Sequence, residues 1–182
     1  EDLSKTENTQ PAVYAVDLAA AAAAKEAGIQ PSAAAGFSLG ELAALAFAGY
    51  YTPEEGFDLV RKRASFMADA AAKIPGAMLA VLRMENEAVE TLCRGRTLYP
   101  VNYNCPGQLV VSGAPEDIQY LQEKIKEAKG RSVPLPVSGG FHSPLMEEAA
   151  ARMEVELKQV IFRDPLIPVY ANDTGQGYGD NA

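Results

Sequence analysis

Residues 29–41 read Ile29-Gln30-Pro31-Ser32-Ala33-Ala34-Ala35-Gly36-Phe37-Ser38-Leu39-Gly40-Glu41. The small-residue run over 29–35 predicts a short strand, and residues 41–48 predict a helix that Gly49 ends. Between them lies a G-x-S-x-G pattern, the strand–turn–helix context of a nucleophile elbow. Glycines at 36 and 40 leave room for a tight turn that presents the Ser38 hydroxyl. The helix N-terminus then sets backbone N–H groups where an oxyanion would form, with the N–H of Leu39 the expected donor. The same five residues also fit a plain strand-to-helix turn with Ser38 as an N-cap. The pattern by itself does not separate the two readings.

Working outward, Asn8 or Thr9 can cap a helix whose first turn holds Pro11 and which Gly28 stops. On the other side, Thr52-Pro53-Glu54-Glu55 is a capping box with proline at the first helical position, opening a helix to about residue 72. Pro75-Gly76 breaks the chain. The following stretch changes rhythm: strand 77–82, helix 85–93, strand 98–102, a turn at Asn104-Cys105-Pro106-Gly107, strand 108–112, helix 115–128 and strand 131–137. Ile118, Leu121 and Ile125 form one stripe of the second of these helices. The order βαββαβ is the ferredoxin-like pattern. The fold class is therefore α/β. A ferredoxin-like small subdomain over 74–136 is inserted in an α/β-hydrolase-like large subdomain built from 1–73 and 137–182.

Serine needs a base to act as a nucleophile at neutral pH. The chain holds one histidine, His142, in Gly139-Gly140-Phe141-His142 ahead of a helix that Ser143 caps and Pro144 begins. Met146, Ala149, Ala150, Met153 and Leu157 mark that helix's buried stripe, and 167–170 reads as strand. The glycine-rich tail from 175 to 182 carries no packing signal. A lone histidine is commonly a surface or capping residue, but the glycine pair and the loop setting favour a catalytic one. Asp164 and Asp173 could complete a triad on chain order alone, yet neither has a recognisable setting, and a Ser–His dyad fits better.

On the helix from Pro53, Val60, Arg63, Ala64 and Met67 share a face by i, i+3, i+4 spacing, while Arg61 and Lys62 point elsewhere. Arg63 is thus a cation on an apolar stripe. Its planar fork either pairs with an internal carboxylate or receives one from a ligand.

The bulk composition narrows the classes. Hydrophobic residues make up 48% and charged residues 22%, as in ordinary globular proteins. A formal net charge of −8 disfavours nucleic acid as a partner. Cys93 and Cys105 make neither a disulfide framework nor a metal cluster, so a reduced, cytoplasmic protein without metal or other cofactor is expected. The alanine-rich stretch 13–24, broken by Asp17, is too short to span a bilayer. A monomer is the expected state.

These segments together resemble the malonyl-CoA:acyl carrier protein transacylase family of bacterial fatty acid synthesis, and the related acyltransferase domains of polyketide synthases. Glu7-Asn8-Thr9-Gln10-Pro11 is similar to the family's ENTQP helix start, and 36–41, GFSLGE, to its GHSLGE. RKRASFM over 61–67 resembles the segment with the carboxylate-binding arginine, and Arg63 takes that position. VNYNCPGQLVVSG over 101–113, LPVSGGFHSPLM over 135–146 and the strand at 168–172 also match in order. The resemblance implies Ser38 as nucleophile, His142 as base, Leu39 in the oxyanion hole, and Arg63, Met67, Phe141 and Asn104 as substrate contacts. Malonyl-CoA would acylate Ser38, and the thiol of an acyl carrier protein would take the malonyl group. Phe141 and Leu39 resemble malonyl-type rather than methylmalonyl-type domains.

The sequence departs from the family in places. Phe37 stands where a histidine is usual, and the family's early Pro-Gly-Gln-Gly segment and C-terminal part are not present. The chain is therefore expected to be truncated at both ends. Two rivals share some of these features: a serine esterase or lipase with a similar elbow, and a degenerate domain that only docks a carrier protein. For docking, Arg94, Arg96, Lys124, Lys126, Lys129 and Arg131 could supply a basic face.

Overall fold

The structure, a computed structural model, describes residues 2–179. It is an α/β chain that divides into two compact units: one of Glu7–Ser65 with the chain from Met153 onward, the other of Phe66–Arg152 with Ser4–Thr6.

In the first unit, α1 (Thr6–Glu26), β1 (Ala34–Ala35), α2 (Leu39–Ala48) and the first part of α3 (Pro53–Lys73) precede the returning strand β6 (Val169–Tyr170). The strands β1 and β6 run parallel, with Ala34 opposite Val169 and Ala35 opposite Tyr170. Their core holds Tyr14, Leu42, Ala43, Ala46, Tyr51, Leu59 and Val60, with Leu39, Met153 and Leu157 packed against it. A second cluster seats Val169 on Ala44 and Ala48. Gly49 ends α2 in the left-handed conformation, φ 90°, its N–H donating to the Ala46 carbonyl. The capping box forms as read: Thr52 N–H donates to Glu55 Oε2 at 2.7 Å, and Glu55 N–H to Thr52 Oγ1 at 3.2 Å.

Several boundaries move. The first helix begins at Thr6, so Pro11 lies inside it. Asn8 and Thr9 lie inside the helix rather than at its cap, and their side chains donate to the carbonyls of Asp2 and Leu3. The strand expected over 29–35 is only two residues long, as is that expected over 167–170. The tail is not without packing: Tyr178 N–H donates to the Val169 carbonyl at 2.8 Å and Gly177 bridges to Tyr170. Residues 180–182 of that tail lie outside the described residues.

The second unit carries β2 (Ala77–Leu82), α4 (Asn86–Cys93), β3 (Leu98–Cys105), β4 (Gln108–Gly113), α5 (Pro115–Glu127) and β5 (Arg131–Pro134). The strands form one antiparallel sheet in the order β3-β4-β2-β5. Leu79 and Val81 face α4 and α5 in a core with Val89, Leu109, Val111, Ile118, Leu121 and Ile125. The alternate residues Met78 and Ala80 meet Val110, Val101, Leu135, Val137 and Phe141 on the opposite face. Burial on both faces explains why β2 reads as a continuous apolar run rather than an alternating one. Each fully buried Leu or Val contributes about 1.5–3 kcal/mol.

Past β5, a single 3₁₀ turn (Pro144–Met146) precedes α6 (Glu147–Leu157). Met146 and Ala149 are buried as the stripe requires, but Ala150 is exposed. The 3₁₀ start shifts the register of the buried face, so the stripe read from a continuous α-helix misses by that residue. Among the described residues no helix is long and apolar enough to cross a membrane.

Candidate active site

Ser38 lies between β1 and α2 with φ 52° and ψ −109°. Such a conformation costs an L residue on the order of 1–3 kcal/mol and clusters at functional sites. The chain passes from strand to helix in three residues, and the strain is concentrated on the serine. Its side chain makes no cap bond to α2. The hydroxyl is therefore not engaged in capping, which removes the plain N-cap reading of the motif.

The two glycines of the motif are not equivalent. A Cβ at Gly36 would overlap the Gly40 carbonyl carbon and oxygen, whereas one at Gly40 would meet nothing within 4 Å. Close backbone approach requires Gly36. Gly40 is an ordinary helix position, contrary to the reading that both make room for the turn.

Arg63 reaches the serine from α3. Its Nη2 donates to Ser38 Oγ at 3.2 Å, and its Nη1 donates to Gln10 Oε1. Gln10 is buried on α1. Val60 and Ala64 are fully buried on the same face of α3, as the spacing predicts. Among the described residues Arg63 makes no ion pair, so the internal-carboxylate reading is not realised; Glu41 supplies compensating charge without contact. Burial lowers the guanidinium's proton affinity and the negative charge of Glu41 raises it. An arginine stays protonated through both effects. A fixed cation thus sits directly at the candidate nucleophile, beside the N–H groups that open α2. Leu39 is the first residue of that helix, so its N–H has no partner within it.

The loop after β6 completes this site. Ser38 N–H donates to Asn172 Oδ1 at 2.6 Å, and Asn172 N–H donates to Glu41 Oε1 at 2.7 Å. Tyr178 donates its phenol proton to the same Glu41 oxygen at 2.8 Å. Gln10, Glu41, Asn172 and Tyr178 are the residues that sequence reasoning did not assign to the site. Gln10, Glu41 and Asn172 lie inside matched family segments, the one available signal.

In the second unit, His142 sits in an exposed turn at φ 62°. The turn is held from both sides. Ser143 Oγ donates to the Gly140 carbonyl at 2.5 Å and accepts from Leu145 N–H at 3.3 Å. A Cβ at Gly76 would overlap Gly140 N, and one at Gly140 would lie 2.6 Å from Leu145 Cδ1. Phe141 packs with Met67, Ala71, Met146 and Ala149. Its ring anchors the turn on that cluster. Met67 is buried in the same cluster, so Met67 and Phe141 are brought together. Asn104 is exposed near the end of β3.

Fold and site define an α/β protein with a strained serine on a strand-to-helix turn and an arginine at its hydroxyl. The acyl transferase domain profile matches residues 1–177, and the chain belongs to that family. It is 39% identical over 178 residues to the malonyl CoA-acyl carrier protein transacylase of Bacillus subtilis (strain 168), covering 94% of this chain and 56% of that one. The crystal structure of malonyl CoA-acyl carrier protein transacylase from Clostridium perfringens ATCC 13124 superposes with a TM-score of 0.91 at 37% identity, covering 99% and 58%. The acyltransferase domain from the second module of the salinomycin polyketide synthase superposes at 0.87 with 31% identity, covering 96% and 41%. The chain thus spans little more than half the length of the curated relatives it matches.

Proposed function

We propose that the protein transfers a malonyl group from malonyl-CoA to the phosphopantetheine thiol of an acyl carrier protein. The observation that carries this reading is the guanidinium of Arg63 donating to the hydroxyl of Ser38. A serine esterase has no use for a buried cation at its nucleophile. An acyl group that ends in a carboxylate does, because the arginine fork can bind it bidentately once the acyl chain is attached.

In the proposed reaction Ser38 Oγ attacks the thioester carbonyl, and His142 takes the serine proton. The Leu39 N–H bonds the oxyanion, whose collapse breaks the carbon–sulfur bond. His142 returns the proton to the departing CoA thiolate. The carrier thiol then attacks O-malonyl-Ser38 by the same steps in reverse, which gives ping-pong kinetics. Arg63 holds the malonyl carboxylate; Met67, Phe141 and Asn104 are proposed as further substrate contacts. Phe141 would crowd an extra methyl, a steric preference of about 1–3 kcal/mol. The family resemblance supports these roles, as do the names of the similar proteins. The similarity to a polyketide acyltransferase domain keeps the chemistry and changes only the pathway that consumes the product.

At the level of architecture we read the antiparallel β2–β5 unit as a ferredoxin-like subdomain over 74–136. It is inserted into an α/β-hydrolase-like part from 1–73 and 137–182. Its strand order supports that reading. A carrier-docking face on its basic residues is weaker, since Arg96 already pairs with Asp117 at 2.9 Å and Lys124 with Glu127 at 2.7 Å.

The test is intact-protein mass spectrometry after mixing with malonyl-CoA or acetyl-CoA. A malonyl adduct that maps to Ser38 and is weak with acetyl-CoA is the expected result. Equal labelling by both would remove Arg63 from its role. Release of CoA without an adduct would point to a hydrolase.

A further inference from the structure

Three hydrogen bonds close a ring around the nucleophile. Ser38 N–H donates to Asn172 Oδ1, Asn172 N–H donates to Glu41 Oε1, and Glu41 N–H donates to the Ser38 carbonyl at 3.3 Å. The Tyr178 phenol holds the Glu41 carboxylate from outside the ring. The placement follows from the sheet: β1 and β6 pair in register, so extending that register carries the loop after β6 alongside the turn after β1.

The ring acts on both peptide planes of Ser38. Its N–H belongs to the plane before the Cα and its carbonyl to the plane after it. Peptide planes are rigid, so holding both leaves neither φ nor ψ free to relax. Those two angles set the direction of the Cα–Cβ bond and therefore of Oγ. Helix capping does not supply this restraint, since the Ser38 side chain makes no cap bond to the helix. Without it, the residue has an incentive of about 1–3 kcal/mol to leave its φ 52° conformation. The ring also engages the Ser38 N–H, which leaves the next N–H along, that of Leu39, for an oxyanion.

We infer that Asn172 and Glu41 are positioning residues for the Ser38 nucleophile, clamping both of its backbone dihedrals so that its hydroxyl stays aimed at the acyl group. This rests on the reading of Ser38 as the acyl-accepting serine.

The experiment uses the full chain and the variants Asn172→Ala, Glu41→Ala and Glu41→Gln, with thermal unfolding recorded for each. Two rates are measured: labelling of Ser38 by phenylmethylsulfonyl fluoride, which the serine oxygen attacks with loss of fluoride, and malonyl transfer from malonyl-CoA. Asn172→Ala and Glu41→Ala should slow both by about tenfold, the equivalent of one such hydrogen bond. The loss should fall on kcat, with KM for malonyl-CoA changed by less than about twofold, because a clamp on the nucleophile is not a substrate contact. Glu41→Gln keeps an oxygen that accepts both bonds and should restore the rate. A folded Asn172→Ala that reacts with the sulfonyl fluoride at the wild-type rate would overturn the inference. So would Glu41→Gln as slow as Glu41→Ala. If Asn172→Ala does not fold, the Glu41 pair decides. Sulfonyl fluoride labelling that falls in the variants, with no malonyl transfer even in the parent protein, leaves the clamp standing and removes the malonyl reading.

Discussion

The guanidinium of Arg63 and the hydroxyl of Ser38 are 3.2 Å apart, joined by a hydrogen bond from Nη2 to Oγ. On the proposed reading, one residue supplies the attacking oxygen and the other a charge that can read what the oxygen has accepted. Replacing Arg63 should therefore alter selectivity more than reactivity. Arg63→Ala should lower kcat/KM for malonyl-CoA by about a hundredfold or more and leave acetyl-CoA little changed, since a site built to pair a polar group rejects its absence strongly. Arg63→Lys should recover only part of the loss, because an ammonium lacks the planar fork. Competition between the two thioesters, followed by mass of the acylated protein, measures both effects.

The glycines of the motif should respond oppositely to alanine. Gly36→Ala places a methyl on the Gly40 carbonyl, so the turn must open and the protein should lose both stability and Ser38 reactivity. Gly40→Ala meets open space in a helix and should stabilise by about 0.5–1 kcal/mol through reduced freedom of the unfolded chain. Denaturant unfolding of the two variants beside the parent checks the signs.

Gly76→Ala tests the histidine turn at a distance from its chemistry. The added methyl would overlap the Gly140 backbone and push the turn that carries His142. A displacement of about 1 Å can cost a hundredfold in rate. The expected result is a folded variant with acyl transfer reduced on that order and sulfonyl fluoride labelling reduced in parallel.

Arg163 grips Glu55 with two hydrogen bonds, Nη1 to Oε2 at 2.7 Å and Nη2 to Oε1 at 3.0 Å. That grip, with the Thr52 backbone bond, lowers the Glu55 carboxyl from 4.5 to about 2. A carboxyl depressed in the folded state stabilises fully above its unfolded value, and the contribution fades as pH falls through the folded one. Glu55→Gln should thus lower the melting temperature at pH 7, and the gap to the parent should close between about pH 4.5 and about pH 2. Melts over that range, in low and high salt, would show it. A gap that stays constant to pH 2 would sink the assignment.

Much of the fold was legible because it is local. The reciprocal bonds of Thr52 and Glu55 and the stripe of Ile118, Leu121 and Ile125 follow from spacings of three or four residues. So do the apolar run of β2 and the face shared by Val60, Arg63 and Ala64. What escaped was set by partners far along the chain. Two-residue strands carry no periodicity, so the sequence overstates the length of β1 and β6. Asn8 and Thr9 can cap by accepting or donate elsewhere, and sequence does not say which. Asn172 and Tyr178 sit in a segment with no apolar pattern, and only the pairing of distant strands brings them to Ser38 and Glu41. The serine, the arginine and the glycine-flanked histidine could be named from their settings; the polar partners that hold the serine could not.

The bond from Ser38 to Asn172 spans 134 positions. A ribosome adding about 5–20 residues per second needs on the order of ten seconds to make that stretch. For the later part of that interval the serine is outside the exit tunnel, and its turn has no Asn172 to hold it. On the proposed reading, the nascent chain carries a slack nucleophile, and the closing of the ring by β6 and its loop would arm it. Reactivity at Ser38 would in this sense be a late event in the protein's own synthesis, timed by a strand of two residues.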